Sequence, residues 1–537
     1  MKMSKRAFRC KNIYNGISPE LIDGYVICEE NKILFAGSER QAAAYLDENT
    51  EILRFDDNFI MPGFHDFHVH LISGALMERD GVLRYAQSEE EAARMLWEQH
   101  KNRASKDWIM GGAWDNFRWP GAEMPTKKSL DQYFKDTPVF LLNKECHGAW
   151  ANSEALRRFH ITAETPDPKN GSYFRFNDGE PTGYIHEAAV IPMLKEILKE
   201  MSIEQMAEYA AAFAKQANQY GITSVGDLPL YGIRADKAYK LLEEQGWLNV
   251  RINFCVDLKE EMEEILRTRE TYASEKLRFI GVKDFLDGTP MGHTGYMLEP
   301  YTDMPDFRSN FMIEPDYLKK RVAQMAEQNI KVRLHACGDA AVRLGLDAFE
   351  YARDTQGEKG LRHCIEHIES ISPDDILRFG QLKVIPSVQP DHLPKYDFTN
   401  HPFHTMIGEE RMRYSWPFQS LAEGGAVLAF GTDYPVTELN PLRSVFRAVT
   451  RLTDDGEPEG GFSPQEKLSV HESLKAYTWG SAYAAGRETE VGSLEPGKLA
   501  DMAILEQNLF ECAEDREVMF GMKVLMTVMD GKTVYSK

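Results

Sequence analysis

Residues 61–71 read MPGFHDFHVHL, which sets His65, Asp66, His68 and His70 side by side directly after a Pro-Gly turn. Neutral imidazole is a common ligand for divalent metals, and imidazoles two residues apart on an extended strand share a face. On strict alternation Asp66, His68 and His70 point to one side and His65 to the other, with Asp66, deeper along the strand, expected to support rather than ligate. The chemistry on offer is an ion gripped by His68 and His70, able to bring the pKa of a water toward neutrality. A histidine pair can also cap a strand by chance, so the remaining ligands must come from elsewhere in the chain.

Short runs rich in β-branched and aliphatic residues recur downstream, each followed by a helical stretch: GITSVGDL, VRINFCV, RFIGVKDFLDG, IKVRLHACGD, LRHCIEHIE, LKVIPSVQP and AVLAFGTDYP. With FIMPGFHDFHVHL they make eight, the number that closes a parallel α/β barrel. Side chains at the C-terminal ends of barrel strands converge on one mouth. His335, His367 and Asp433 stand at such ends. Lys283, near the end of the fourth run, is costly as a buried ammonium ion and needs a purpose: a Schiff base, a salt bridge or a carbamate bridging metals.

The two chain ends look different from this middle. Residues from Phe8 to Phe59, and ADMAILEQNL with VLMTVMDGKTVYSK near the C-terminus, alternate apolar and polar residues like antiparallel strands. The expected organisation is a composite β-sandwich from 1–58 plus 485–537, a barrel from 59–75 plus 202–484, and an aromatic-rich insertion at 76–201 between the first two barrel strands.

PGFHDFHVHL, Lys283, HACGDAA, IEHIE, GTDYPV and GSLEPGKLADMAIL, in that order, together resemble the amidohydrolase superfamily. More narrowly they resemble amidohydrolase family 3, the branch that includes N-substituted formamide deformylases. The resemblance runs from about Ile33 to the C-terminus. It implies a (β/α)8 TIM-type barrel with a β-sandwich, and metal ligands at His68, His70, Lys283, His335, His367 and Asp433. It also implies a carboxylated Lys283 bridging two ions in many members, and a single ion where that bridge is absent. His65 departs from the family pattern, which is apolar there, and is read as packed or supporting.

Zinc is the expected ion, since neutral imidazoles and a carboxylate suit it; manganese, iron or nickel would fit a site richer in oxygen. Asp433 is expected to be the catalytic proton carrier, from the water to the leaving amine. The reaction read from this is hydrolysis of a non-peptide C–N bond in an N-acyl, formamide or cyclic amide substrate. Deamination and ester or lactone hydrolysis ask the same of the site. An inactive metal-binding regulatory or scaffold protein is the alternative of another class. Substrate-binding candidates are Trp114, His147, His186, His293 and His392, with Arg118, Trp119, Trp150 and Glu187 nearby in sequence. Gly288, Gly292 and Gly295 are expected to let the loop carrying His293 move.

Net charge of -22 argues against nucleic-acid and anionic-membrane partners. The expected partner is a small-molecule substrate. No run approaches the roughly 18 apolar residues of a membrane span, and the seven cysteines are scattered as reduced thiols. Both features point to a cytoplasmic protein. The insertion is compatible with a homodimer, though no sequence feature decides it.

Overall fold

The computed structural model describes residues 5–102, 107–144, 148–169, 171–229 and 233–537. Eight parallel strands form the central sheet: β1 (Phe64–Val69), β2 (Ile222–Asp227), β3 (Arg251–Asp257), β4 (Leu277–Phe285), β5 (Val332–Ala336), β6 (Cys364–His367), β7 (Ile385–Val388) and β8 (Ala429–Phe430). They pair in sequence order. Just past β8 the ring closes on β1: the Asp433 amide donates to the His68 carbonyl (2.7 Å) and the His70 amide to the Tyr434 carbonyl (2.7 Å). Gly431 permits that approach, because a Cβ there would lie 2.5 Å from the His68 nitrogen. The strands are buried on both faces and therefore read as apolar runs rather than alternating ones.

Helices cover the outside. Ile203–Gln219, leading into β2, begins with a capping box in which Ser202 accepts from the Gln205 amide and the Gln205 side chain accepts from the Ser202 amide. Its buried Ala207, Ala210, Phe213, Ala214 and Ala217 recur at helical spacing toward the barrel.

The first apolar run is two strands. Phe59–Pro62 pairs with Met502–Leu505 in a separate sheet, with Ile60 opposite Ile504, and β1 starts only after Gly63. A side chain at Gly63 would meet Thr223, 2.3 Å away, so the chain crosses β2 where only glycine fits. The separate sheet unites both chain ends: Lys5–Tyr14, Leu21–Glu29, Lys32–Ser38, Glu51–Arg54 and Phe59–Pro62 with Met502–Leu505, Val524–Met529 and Lys532–Ser536. It thus takes in residues just beyond the expected boundary at 58. Phe8, Ile13, Val26, Ile60, Met502, Ile504 and Val528 form its own core. Fully buried Arg251 of β3 fastens it to the barrel through Asp501, at 2.8 Å, and through Asp530.

Between β1 and β2 the insertion forms a five-stranded sheet in the order Gly171–Arg175, Pro181–Glu187, Gly148–Ala151, Val139–Asn143, Ile109–Trp114. Trp114, Trp119, Trp150, Leu141 and Tyr184 pack together as its core. Arg84 reaches back to the Pro435 carbonyl at 2.9 Å, beside the end of β8. Among the described residues no helix is long and apolar enough to cross a membrane.

Candidate metal centre

The end of β1 does not keep strict alternation. Asp66 lies opposite Val225 and Val69 opposite Asp227, so β1 spends one more residue than β2 over this interval. His65 packs its ring against Phe67, with the Asn253 amide nitrogen 3.4 Å from its Nε2. Burial lowers its pKa to about 3, which keeps it neutral. Phe67 in turn lies under the Arg333 guanidinium at 3.9 Å. Asp66, expected to support rather than ligate, accepts from the Thr432 amide (2.9 Å) and hydroxyl (2.6 Å) and ties β1 to the segment after β8.

His68, His70 and Asp433 come together at the barrel mouth, with Asp433 Oδ1 3.2 Å from both Nε2 atoms. Asp433 Oδ2 faces a different imidazole, that of His392, at 3.4 Å. The His367 ring lies 4.9 Å from that of His68 and 4.4 Å from that of His335, centroid to centroid. The backbone is held in the left-handed region at His367 (φ 75°), Ile368 (φ 53°) and Asp433 (φ 58°). Such conformations cost about 1–3 kcal/mol each and persist where surrounding structure imposes them. Burial opposes ionisation of Asp433, but the facing His68 and His70 outweigh it and hold the carboxyl well below its ordinary range.

The polar atoms here converge without satisfying one another. His68 Nε2, His367 Nδ1, His392 Nε2, Asp433 Oδ1 and Lys283 Nζ are buried and make no hydrogen bond among the described residues. His68 and Asp433 are close yet misaligned for a hydrogen bond. Orphaned buried donors and acceptors are costly, and this set is the N- and O-ligand chemistry of a divalent cation. The residues therefore fit a metal. Lys283 rests over the Phe285 ring at 4.6 Å, and burial lowers its pKa to about 8, so it stays mostly protonated at pH 7 but gives up its proton far more readily than a solvated lysine. His335 Nε2 is 3.3 Å from the Gly288 carbonyl and 3.7 Å from Asp287.

Several supporting residues went unrecognised in the sequence. Glu366 accepts from His68 Nδ1 at 2.8 Å while gripping Arg333 at 2.7 Å, and so fixes which His68 nitrogen faces the centre. Glu369 lies 3.6 Å from His392 Nδ1. Asp287 accepts the Tyr296, Cys337 and Gly338 amides at 2.8, 3.0 and 2.9 Å, pinning the loop after β4 to the end of β5. The available signal was IEHIE itself, with a glutamate on either side of the strand-end histidine.

Of the expected substrate contacts among the described residues, only His392 is at the centre. Trp114 is fully buried in the insertion core, its indole nitrogen donating to the Leu141 carbonyl at 2.9 Å. His186 sits by Phe174 and Tyr184 in the same insertion. His293 pairs with Asp303 at 3.0 Å on the loop after β4. That loop is a cross-bonded turn rather than a free one: the Thr289 carbonyl takes the Gly292, Thr294 and Gly295 amides, and a Cβ on Gly288 would lie 2.2 Å from Thr294. Gly288 and Gly295 serve close packing, while a side chain at Gly292 would meet only ordinary contacts. His147 lies outside the described residues.

Comparison with known proteins finds relatives over nearly the whole chain. The chain is 31% identical to protein LONG AFTER FAR-RED 3 of Arabidopsis thaliana, over 94% of this chain and 87% of that one. It is 26% identical to the N-substituted formamide deformylase of Arthrobacter pascens, covering 95% of each. An uncharacterized metal-dependent hydrolase from Pyrococcus horikoshii superimposes with a TM-score of 0.77 at 27% identity, over 95% of this chain and 99% of that chain. The sequence model of the amidohydrolase family matches residues 56–535, and the chain belongs to that family.

Proposed function

We propose that this protein is a metal-dependent hydrolase of non-peptide C–N bonds, acting on an N-acyl, formamide or cyclic amide substrate. The observation that carries the reading is the convergence of unpartnered buried nitrogens and oxygens from His68, His367, His392, Lys283 and Asp433 at one barrel mouth. Kinship to a formamide deformylase supports the choice of bond. His68, His70, His335, His367 and Asp433 would hold the cation, with Lys283 joining as a carbamate where two ions are bound. Zinc is the ion best matched to this donor set. When bound, it supplies Lewis acidity, bringing the pKa of a water toward neutrality and polarising the acyl oxygen.

The chain's own residues do the rest. Asp433 is ionised, so it can accept a proton at Oδ2 and return it to the departing nitrogen, a transfer worth about 10²–10⁴-fold in rate. Glu366 holds His68 with Nδ1 protonated, leaving Nε2 as the inward lone pair. Burial of the cluster excludes bulk water and strengthens each electrostatic contact.

The test is a hydrolysis screen of formamides, N-acyl amines, cyclic amides, esters, lactones and aminated rings with wild type and Asp433→Asn. The reading expects turnover on C–N substrates that the variant loses. Turnover confined to esters or rings would move the substrate class. Full turnover by Asp433→Asn would remove the proton carrier, and metal binding with no turnover on any class would favour a regulatory or scaffold role.

A further inference from the structure

Asp433 does not treat its imidazole neighbours alike. Oδ1 faces the Nε2 atoms of His68 and His70, each at 3.2 Å, whereas Oδ2 faces His392 Nε2 at 3.4 Å. Two donors held at about 2.0–2.2 Å from one tetrahedral ion are separated by roughly 3.4 Å, so both spacings are those of shared ligation. His392 lies in the short turn Pro390–His392 after β7. Its ring is parallel to that of His367, 8° between planes and 5.6 Å between centroids. His367, His392 and Asp433 each bring a ligand atom within 4.8 Å of the others, as do His68, His70 and Asp433. His392 Nε2 and His367 Nδ1 are buried without hydrogen-bond partners among the described residues.

Glu366 accepts a hydrogen bond from His68 Nδ1 at 2.8 Å, whereas Glu369 is 3.6 Å from His392 Nδ1, beyond a hydrogen bond. Glu366 stands behind His68 and Glu369 behind His392, one on each side of His367 in sequence. A carboxylate behind the second nitrogen is how metal-binding imidazoles are oriented. A simple imidazolium ion pair explains His392 less well. Charge-assisted N–H···O bonds run about 2.7–2.9 Å, and the contacts of His392 with Asp433 and Glu369, 3.4 and 3.6 Å, do not reach that range.

We infer that His392 is a metal ligand, which with His367 and Asp433 forms a second cation cage adjoining that of His68 and His70, the two cages sharing the Asp433 carboxylate. This rests on the metal-dependent reading above and adds to it a ligand from the turn after β7. Each carboxylate oxygen has two lone pairs, so a bridging Asp433 keeps one free on Oδ2 for the proton. The second ion then depends on His392 whether or not Lys283 is carboxylated.

Zinc alone is the probe. Wild type and His392→Gln are loaded, passed through a desalting column and analysed for zinc per chain, with circular dichroism as the check on folding. Wild type should retain a second equivalent that the variant loses or holds at least tenfold more weakly. Equal retention by the two overturns the inference. An anomalous difference map from zinc-loaded wild-type crystals gives an answer even if the variant fails to fold. A peak about 2.0–2.2 Å from His392 Nε2 supports the second cage. A peak at His68 and His70 with none at His392 overturns this inference alone, and zinc at neither position overturns the metal reading with it.

Discussion

The tryptophans of the insertion and the imidazoles of the barrel mouth are both enclosed, yet their polar atoms are treated in opposite ways. The indole nitrogens of Trp114, Trp119 and Trp150 each donate to a backbone carbonyl, of Leu141 (2.9 Å), Ala86 (3.2 Å) and Thr126 (2.8 Å). At the mouth, His68 Nε2, His367 Nδ1, His392 Nε2, Lys283 Nζ and Asp433 Oδ1 are buried with no such partner among the described residues. Both regions drew notice in the sequence for the same reason, an excess of side chains capable of recognition or catalysis. What separates them is satisfaction: a satisfied polar atom belongs to packing, and a converging set of unsatisfied ones awaits a ligand.

That contrast can be broken or sharpened by substitution. The largest effect is expected at Asp433→Asn, with turnover falling about 10²–10⁴-fold while the thermal melt stays close to wild type; an unimpaired rate would place the proton elsewhere. Trp150→Ala should instead cost about 3–5 kcal/mol of stability, as large aromatic truncations in a core do, read by denaturant titration. Its zinc per folded chain should not change, and a loss of metal there would erase the distinction between the two regions.

Lys283→Met tests the mouth from the opposite direction. The folded-state pKa is lowered from 10.5 to about 8, so between those values the unfolded chain binds more protons and the stability of the metal-free wild type rises with pH. Below about pH 8 the full penalty is present. Removing the amine should therefore stabilise the metal-free protein at pH 7 by about 3 kcal/mol, at ~1.4 kcal/mol per pKa unit, and flatten that rise. A destabilised variant would show that Lys283 has a partner in the folded chain. The smallest effect is expected for Glu366→Gln, which keeps the size of the side chain but weakens its hold on His68. Zinc affinity should drop about 10–100-fold, by competition with a chromophoric chelator, and an unchanged affinity would make Glu366 a partner of Arg333 alone.

Much of the architecture was legible because parallel barrel strands are buried on both faces and stand out as apolar runs; all eight lie where those runs do. The join at Gly63 was not legible, since Phe59–Pro62 and Phe64–Val69 are equally apolar and the crossing is set by contact with Thr223, far away in sequence. Nor was the register shift between Asp66 and Val69, because period-two reasoning assumes an unbroken register. At the mouth, residue type and strand-end position marked out His68, His70, His335, His367 and Asp433. Glu366 was hidden because its role depends on a partner 298 residues away. The aromatic side chains of the insertion misled for a plainer reason: sequence shows a tryptophan but not whether its indole nitrogen already has a carbonyl.

The central claim is that the mouth is built for a cation on which hydrolysis depends. It is tested most directly by measuring bound divalent metal and amide hydrolysis together as the purified protein is stripped by chelation and reloaded with zinc. Activity should vanish with the metal and return in proportion to zinc regained. Undiminished hydrolysis by metal-free protein would contradict the account.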